Sequence, residues 1–177
     1  MTNPTKMDAL RSTALASELS DEQCRVLADV VSLRDLKQGE TLAHEGTVDN
    51  HLYVVLRGTL GVIKHAGTDR AITVNTLSPG DFTGEMGFMD DTELYASKVA
   101  LGDAQVLGLE REKLESLLVP HPEIVYRVMR VIIRVVHQIQ RRLDGLQHIN
   151  ILGPHVYAER ERSAAGLADG DFRQGLL

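Results

Sequence analysis

The chain contains Gly80-Asp81-Phe82-Thr83-Gly84-Glu85-Met86-Gly87-Phe88, and Tyr95-Ala96-Ser97-Lys98-Val99 follows a few residues later. Glycines punctuate the first of these stretches. A glycine turn that opens a helix leaves backbone N–H groups pointing outward, and the helix dipole adds partial positive charge at the same place. The segment therefore predicts a cradle for a phosphate.

On both sides of this segment, from Leu36 to Leu109, short apolar runs alternate with glycines. Several short runs separated by turn signals are typical of strands in a small antiparallel roll or sandwich. We predict strands at 52–56, 60–63, 71–77, 98–101 and 104–109.

A helix is predicted to open at Ser20. Ser20 and Gln23 have the spacing of a capping box, and Leu19 can pack on Cys24 as a hydrophobic staple. The residues before it are polar and are broken by Pro4, and they contain no apolar run of signal-peptide length. We assign residues 1–18 to an N-terminal arm.

A second, long helix is predicted from Pro122 to Leu146, and it carries two apolar stripes. One stripe consists of Val128, Val131 and Val135, which could pack on the sheets. The other follows heptad spacing, which is the signature of a coiled-coil seam. Either both stripes are buried within one subunit, or the heptad stripe forms a parallel homodimer, which is the interpretation we favour. The heptad residues are Val125, Met129, Ile132, Val136, Ile139, Leu143 and Leu146.

Composition narrows the class of protein. A chain of 177 residues with 43% hydrophobic residues is one domain or one domain with an appendage. It has a single cysteine, which allows no internal disulfide, and no apolar stretch of membrane-spanning length, so we expect a cytoplasmic protein. The net charge of −6 argues against a general nucleic-acid surface. We interpret the arginines of the long helix as a solvated face: Arg127, Arg130, Arg134, Arg141 and Arg142.

Further stretches agree with the glycine segment. They are Leu36-Lys37-Gln38-Gly39-Glu40-Thr41-Leu42, Glu45-Gly46, Leu52-Tyr53-Val54-Val55, Arg57-Gly58, and Leu117-Leu118 followed by Pro122. Together they resemble the cyclic nucleotide-binding domain family, and most closely the sensor domains of bacterial catabolite-activator and FNR-like regulators. The resemblance implies a mainly β fold with flanking helices. It would be an eight-stranded antiparallel double-stranded β-roll (jelly roll) with an N-terminal helix and a long C-terminal dimerisation helix.

The resemblance also implies domain limits and site residues. The domain would span 19–146, including the helix 122–146, and 147–177 would be a tail. Glu85 matches the family's ribose ligand, whereas Tyr95 stands where the family has its phosphate-binding arginine. A phenol carries no charge that could replace the guanidinium, so we name two candidate substitute cations. The remaining candidate ligand residues and these cations are Gly84, Met86, Gly87, Ala96, Ser97, Lys98 and Arg70.

Function follows as an expectation from the resemblance. We expect a non-enzymatic, regulatory ligand sensor of cyclic AMP or cyclic GMP, without other cofactors, that signals through a hinge at 119–122 and the dimer helix to an unknown downstream protein. The acidic run Asp90, Asp91 and Glu93 would oppose an anion. The alternative is a degenerate domain that serves as a dimerising protein-interaction module.

Two further functions are considered and disfavoured. A cupin-like metal enzyme would need histidines one residue apart with a glutamate shortly after, and His44, Glu45, His51 and His65 do not fit that pattern. No metal site and no catalytic residues are expected. Only about 30 residues follow Leu146, where a helix-turn-helix domain would need roughly 50, so we expect no specific DNA binding.

Overall fold

The structure is a computed structural model, which describes the backbone of residues 5–151 and the side chains of residues 5–139 and 141. Its helices are α1 (Lys6–Arg11), a 3₁₀ turn (Ala14–Ala16), α2 (Asp21–Val30), α3 (Glu85–Asp90), α4 (Arg111–Glu115) and α5 (Pro122–Ile151). The strands are β1 (Val31–Leu36), β2 (Thr41–Ala43), β3 (His51–Arg57), β4 (Leu60–Lys64), β5 (Ile72–Leu77), β6 (Phe82–Thr83), β7 (Ser97–Ala100) and β8 (Ala104–Glu110).

The strands form two four-stranded sheets in the described part of the chain. One sheet has the order β1-β8-β3-β6 and the other β2-β7-β4-β5, and neighbouring strands run antiparallel. The prediction of a mainly β, antiparallel fold with flanking helices is confirmed.

The core has two layers because side chains alternate along each strand. In β3, Leu52 and Val54 belong to a cluster shared with the helices, whereas Tyr53 and Val55 belong to a second cluster. That second cluster draws residues from both sheets, including Leu60 of β4. The first sheet therefore has the helices on one face and the second sheet on the other.

Residues within 5–18, the described part of the predicted N-terminal arm, contribute to this core. Leu10 and Leu15 have no exposed surface, and both pack in the cluster shared with the helices. The next helix, α2, begins as predicted. The Ser20 hydroxyl accepts a hydrogen bond from the Gln23 backbone N–H at 3.3 Å, and the Gln23 amide oxygen accepts one from the Ser20 N–H at 3.0 Å. Cys24 is a free, buried thiol, and burial raises its pKa.

Both apolar stripes of α5 begin by packing on the chain itself. Val128 and Val131 are buried, as expected for the stripe that faces the sheets. Val125 and Ile132 of the heptad stripe are buried in the same cluster, and Met129 and Val136 pack against it.

This burial corrects the assignment of the heptad stripe at its first residues. Val125 and Ile132 have 8% and 1% of their surface exposed, so they offer almost nothing to a second subunit. By contrast, Tyr126 and Ile133 are 65% and 48% exposed on the same helix. The side chain of Leu143 lies outside those that the structure describes.

The chain divides into two compact units, 1–136 and 137–177. The described part of the second unit is the continuation of α5 to Ile151. The helix is therefore longer than the predicted 122–146, and 147–151 are helical. The rest of the predicted tail lies outside the described residues. Among the helices that are described, none is long and apolar enough to cross a membrane.

Two neighbouring isoleucines of α5 test this assignment of its faces. Ile132→Ala should lower the free energy of unfolding by about 2–5 kcal/mol, because it removes buried methyl groups and leaves a cavity. The matched change Ile133→Ala should alter it by about 0.5 kcal/mol or less, because that side chain is half exposed. Urea denaturation of the two variants measures the difference, and equal effects would show that the faces of the helix are misassigned.

Candidate functional site

A small open cleft of about 140 Å³ lies between α3 and the segment that leads into β7. Its lining includes the residues of the glycine segment, Gly84, Glu85, Met86 and Gly87, together with Tyr95. Of the two candidate cations, Lys98 lines the cleft and Arg70 does not. The residues that line it are Thr83, Gly84, Glu85, Met86, Gly87, Thr92, Glu93, Leu94, Tyr95 and Lys98.

The glycines let α3 approach the start of β3. Gly84 has a positive φ of 89° at the residue before α3, and a Cβ there would lie 2.2 Å from the carbonyl oxygen of His51. A Cβ on Gly87 would lie 2.5 Å from the carbonyl oxygen of Asp49. Real Cβ atoms do not approach so closely, so any side chain at either position would push α3 away from the sheet. The glycines thus fix one wall of the cleft.

A cluster of hydrogen bonds holds the backbone that these glycines touch. The Asp49 carboxylate accepts hydrogen bonds from the His51 backbone N–H at 3.1 Å and from the Tyr53 hydroxyl at 3.1 Å, and it lies 2.9 Å from the His51 ring Nδ1. The rings of His51 and Tyr53 stack at 5.6 Å. Burial, together with the nearby Asp49 charge, raises the pKa of Tyr53. Our sequence analysis missed this supporting role, which nothing in the spacing of these residues marks.

Lys98 is the buried cation of the cleft. Its residue is 9% exposed, and its ammonium donates to the Ala96 carbonyl oxygen at 3.3 Å. Burial lowers the pKa of Lys98, and the negative charge of Glu85 acts in the opposite direction. A buried ammonium is stabilised by an anion beside it, and within the cleft Glu85 supplies one such negative charge.

Tyr95 stands at the rim and contacts a different lysine. It is 70% exposed, and the Lys64 ammonium lies 4.3 Å from the centroid of its ring. Lys64 also donates to the Tyr95 carbonyl oxygen at 2.8 Å and forms an ion pair with Glu45 at 2.7 Å. Lys64 therefore holds the Tyr95 ring by a cation–π contact and the Tyr95 backbone by a hydrogen bond.

The other candidate residues support this segment. Ala96 is buried, and the Ser97 hydroxyl is also buried, where it accepts a hydrogen bond from the Glu45 backbone N–H at 2.9 Å. This contact occupies one acceptor position of Ser97. Met86 lines the cleft with 60% of its surface exposed.

The acidic run near the cleft is largely engaged in local contacts. Asp91 forms an ion pair with Arg111 at 2.5 Å. Asp90 accepts hydrogen bonds from the backbone and hydroxyl of Thr92, and Glu93 lines the cleft itself. The Arg111 charge therefore reduces the repulsion that Asp91 would exert on an anion. Glu93 is the residue of the acidic run that lines the cleft.

Two of the histidines considered for a metal site contact different carboxylates. His51 pairs with Asp49, whereas His65 donates its backbone N–H to Glu45 at 2.7 Å. Within the part of the chain that the structure describes, no group of three or more histidine, cysteine, aspartate or glutamate residues is arranged to hold a metal ion.

Known proteins share both sequence and fold with this chain. It is 27% identical over 138 residues to a cyclic AMP receptor protein of Thermus thermophilus, with 77% of this chain and 63% of that protein aligned. The chain spans between about half and two thirds of the length of the curated bacterial regulators it matches.

Solved structures agree. The N-terminal domain of a transcriptional regulator from Streptomyces coelicolor superposes with a TM-score of 0.62 at 29% identity, covering 75% of this chain and 94% of that one. The regulatory subunit of a cAMP-independent protein kinase A from Trypanosoma cruzi, bound to guanosine, superposes with a TM-score of 0.54 at 26% identity. That match covers 68% of this chain and 43% of the subunit.

A family model places the shared region within the described fold. The model for the cyclic nucleotide-binding domain matches residues 33–121, which include both sheets from within β1, the cleft and α4. The glycine segment, the two antiparallel sheets and the sequence match thus agree, and the chain belongs to the cyclic nucleotide-binding domain family.

Proposed function

We propose that this chain is a non-enzymatic regulatory domain that senses a nucleotide-type ligand in the cleft beside α3. The observation that carries the proposal is Lys98, a lysine more than nine-tenths buried that lines a glycine-walled cleft together with Glu85. Keeping an ammonium buried is costly unless an anion compensates it. A ligand with a negative group at Lys98 supplies that compensation.

The cleft residues divide the recognition of such a ligand. Because Gly84 and Gly87 have no side chains, the ligand would come close to their backbone. Glu85 would accept a hydrogen bond from a ribose hydroxyl. Lys98, which lies on β7, would supply the positive charge that the family's arginine supplies at the position of Tyr95. A lysine offers a point charge rather than a bidentate fork, so this cleft should bind a cyclic phosphate more weakly than one with an arginine at residue 95.

A ligand without phosphate is the second candidate. The trypanosomal relative with the same fold is described as bound to guanosine and as cAMP-independent. In the present cleft, Glu85 and Glu93 favour hydroxyl and amine donors, and Tyr95 supplies an exposed ring on which a base could stack. A nucleoside would use these groups without needing the full positive charge.

Lys98 is the residue on which a phosphate ligand should depend. Lys98→Met should weaken cyclic AMP and cyclic GMP about ten- to a hundredfold, because it removes a charge-assisted contact worth roughly 1.5–3 kcal/mol. Guanosine, which has no phosphate, should be nearly unaffected. Calorimetric titration of all three ligands measures this.

The matched control is Arg70→Gln, which removes a cation outside the cleft and should leave every affinity unchanged. Equal losses in both variants would show that general charge, rather than Lys98, attracts the ligand. If the wild type binds none of the three ligands, the sensor proposal is wrong and the alternative, a degenerate dimerising interaction module, is favoured.

Restoring the arginine of the family should strengthen phosphate binding. Tyr95→Arg should tighten cyclic nucleotides about ten- to a hundredfold, because a guanidinium at the rim adds a charge-assisted contact. Tyr95→Lys adds the same charge without the bidentate geometry of a guanidinium, so the affinity for cyclic nucleotides should increase less. A gain for guanosine as large as for cyclic AMP would contradict an effect on phosphate.

The signal is proposed to leave the domain through α5. Its preceding turn is exposed, with 52% of Leu118 and 92% of Val119 accessible, so the hinge at 119–122 has little packing to restrain it. We propose that α5 forms the homodimer, as in our sequence analysis. Because Val125 and Ile132 are buried, the exposed residues Tyr126 and Ile133 are the contacts of its first turns. A cytoplasmic setting, a downstream protein partner and the absence of specific DNA binding belong to the same proposal.

The dimer is tested by charge at these exposed residues. Tyr126→Glu combined with Ile133→Glu should turn dimers into monomers without unfolding the chain, because like charges would then face each other across the two-fold axis. Ile72→Glu, at a residue of β5 that is 60% exposed, is the control and should leave the dimer intact. Light scattering at micromolar concentration gives the mass, and a monomeric wild type would refute the dimer.

A further inference from the structure

Three arginines of α5 converge on a single residue of the N-terminal segment. The Arg127 guanidinium donates to the Glu18 carbonyl oxygen at 2.5 Å, and Arg130 lies 3.6 Å from one oxygen of the Glu18 carboxylate. Arg134 donates to the other carboxylate oxygen. Our sequence analysis interpreted these arginines as a solvated face. Arg127, Arg130 and Arg134 are indeed exposed, and they also contact a residue more than a hundred positions earlier in the chain.

The convergence leaves Glu18 largely enclosed. Its side chain is 19% exposed, whereas those of Arg130 and Arg134 are about half exposed. The hydrogen bond from Arg134, joined by the nearby charges of Arg130 and Arg127, holds the pKa of Glu18 below its usual value. Glu18 lies in the short connection between the 3₁₀ turn (Ala14–Ala16) and α2 (Asp21–Val30), so it is fixed by packed elements on both sides.

The apolar packing of α5 becomes weaker towards Arg134, the last residue of the ion cluster. Ile124 and Val128 are completely buried, and Ile132 is nearly so. After Ile132, Ile133 is half exposed, and Val135 and Val136 are only partly buried against the core. The hydrophobic attachment is therefore strong in the first turns and weaker in the turn that contains Arg134.

We propose that Glu18 and the three arginines form an electrostatic latch that holds the segment 127–136 of α5 on the domain. The last arginine of the latch lies two residues before Val136, where the first compact unit ends. The latch thus sets how far α5 stays docked. Within this segment the last turn, 133–136, is held only by partly buried apolar contacts and by the ion cluster, so a change at one carboxylate can shift that turn between a docked and a released state.

The latch is tested by amide hydrogen exchange of the full chain at low ionic strength. Glu18→Gln keeps the shape of the side chain and removes its charge, and it should raise exchange in peptides covering 127–136 by about three- to tenfold, the range expected for a small network of partly exposed ion pairs. Peptides from β3 and β8 should exchange as in the wild type, which separates local release from global loss of stability.

Asp21→Asn is the matched control, because it breaks the ion pair between Arg11 and Asp21, two residues of the same N-terminal region that lie outside α5. It should leave exchange at 127–136 unchanged. Raising NaCl to 1 M shortens the screening length to about 3 Å and should speed exchange of this segment in the wild type but not in Glu18→Gln. Unchanged exchange in Glu18→Gln, or an equal effect of Asp21→Asn, would overturn the latch.

Discussion

The closeness of α3 to the start of β3 is the constraint on which the site depends. Gly84 and Gly87 bring the helix so near that a Cβ would meet backbone oxygens of His51 and Asp49. The Asp49 carboxylate in turn binds the backbone and ring of His51 and the hydroxyl of Tyr53, so the surface that receives the helix is itself fixed. The cleft exists because this wall cannot move inward, and Lys98 faces it from the opposite sheet.

The need to cover the first sheet explains why the first turns of α5 pack on the chain's own core. The first sheet is covered on its outer face by helices, so its apolar residues Leu52, Leu107 and Leu109 need a helical layer. All five α-helices among the described residues contribute to this layer, and α5 turns Ile124, Val128 and Ile132 inward to do so. Among the described side chains of α5, the large apolar residues Tyr126 and Ile133 remain exposed, beside the arginines that bind Glu18.

Local signals made much of this fold predictable. The capping box at Ser20, the glycine turns and the glycine segment at 80–88 act through neighbouring residues, and the structure has the corresponding elements. The burial of Lys98 and the contacts of Glu18 with Arg134 depend on partners distant in sequence, which no spacing rule supplies. Heptad spacing in α5 was ambiguous for the same reason. It reports that a face is apolar, but it does not report whether that face meets the chain's own sheet or a second subunit.

The location of Lys98 within the second sheet has a consequence for recognition kinetics. β7 lies between β2 and β4, and Lys98 is paired in register with Ala43 on one side and Val62 on the other. A charge carried on a central strand is pre-organised, whereas a charge on a loop must first be ordered when a ligand arrives. In the proposed sensor, an anion would therefore meet a lysine whose backbone is already in its final position, and the conformational adjustment on binding would fall to the rim around Tyr95.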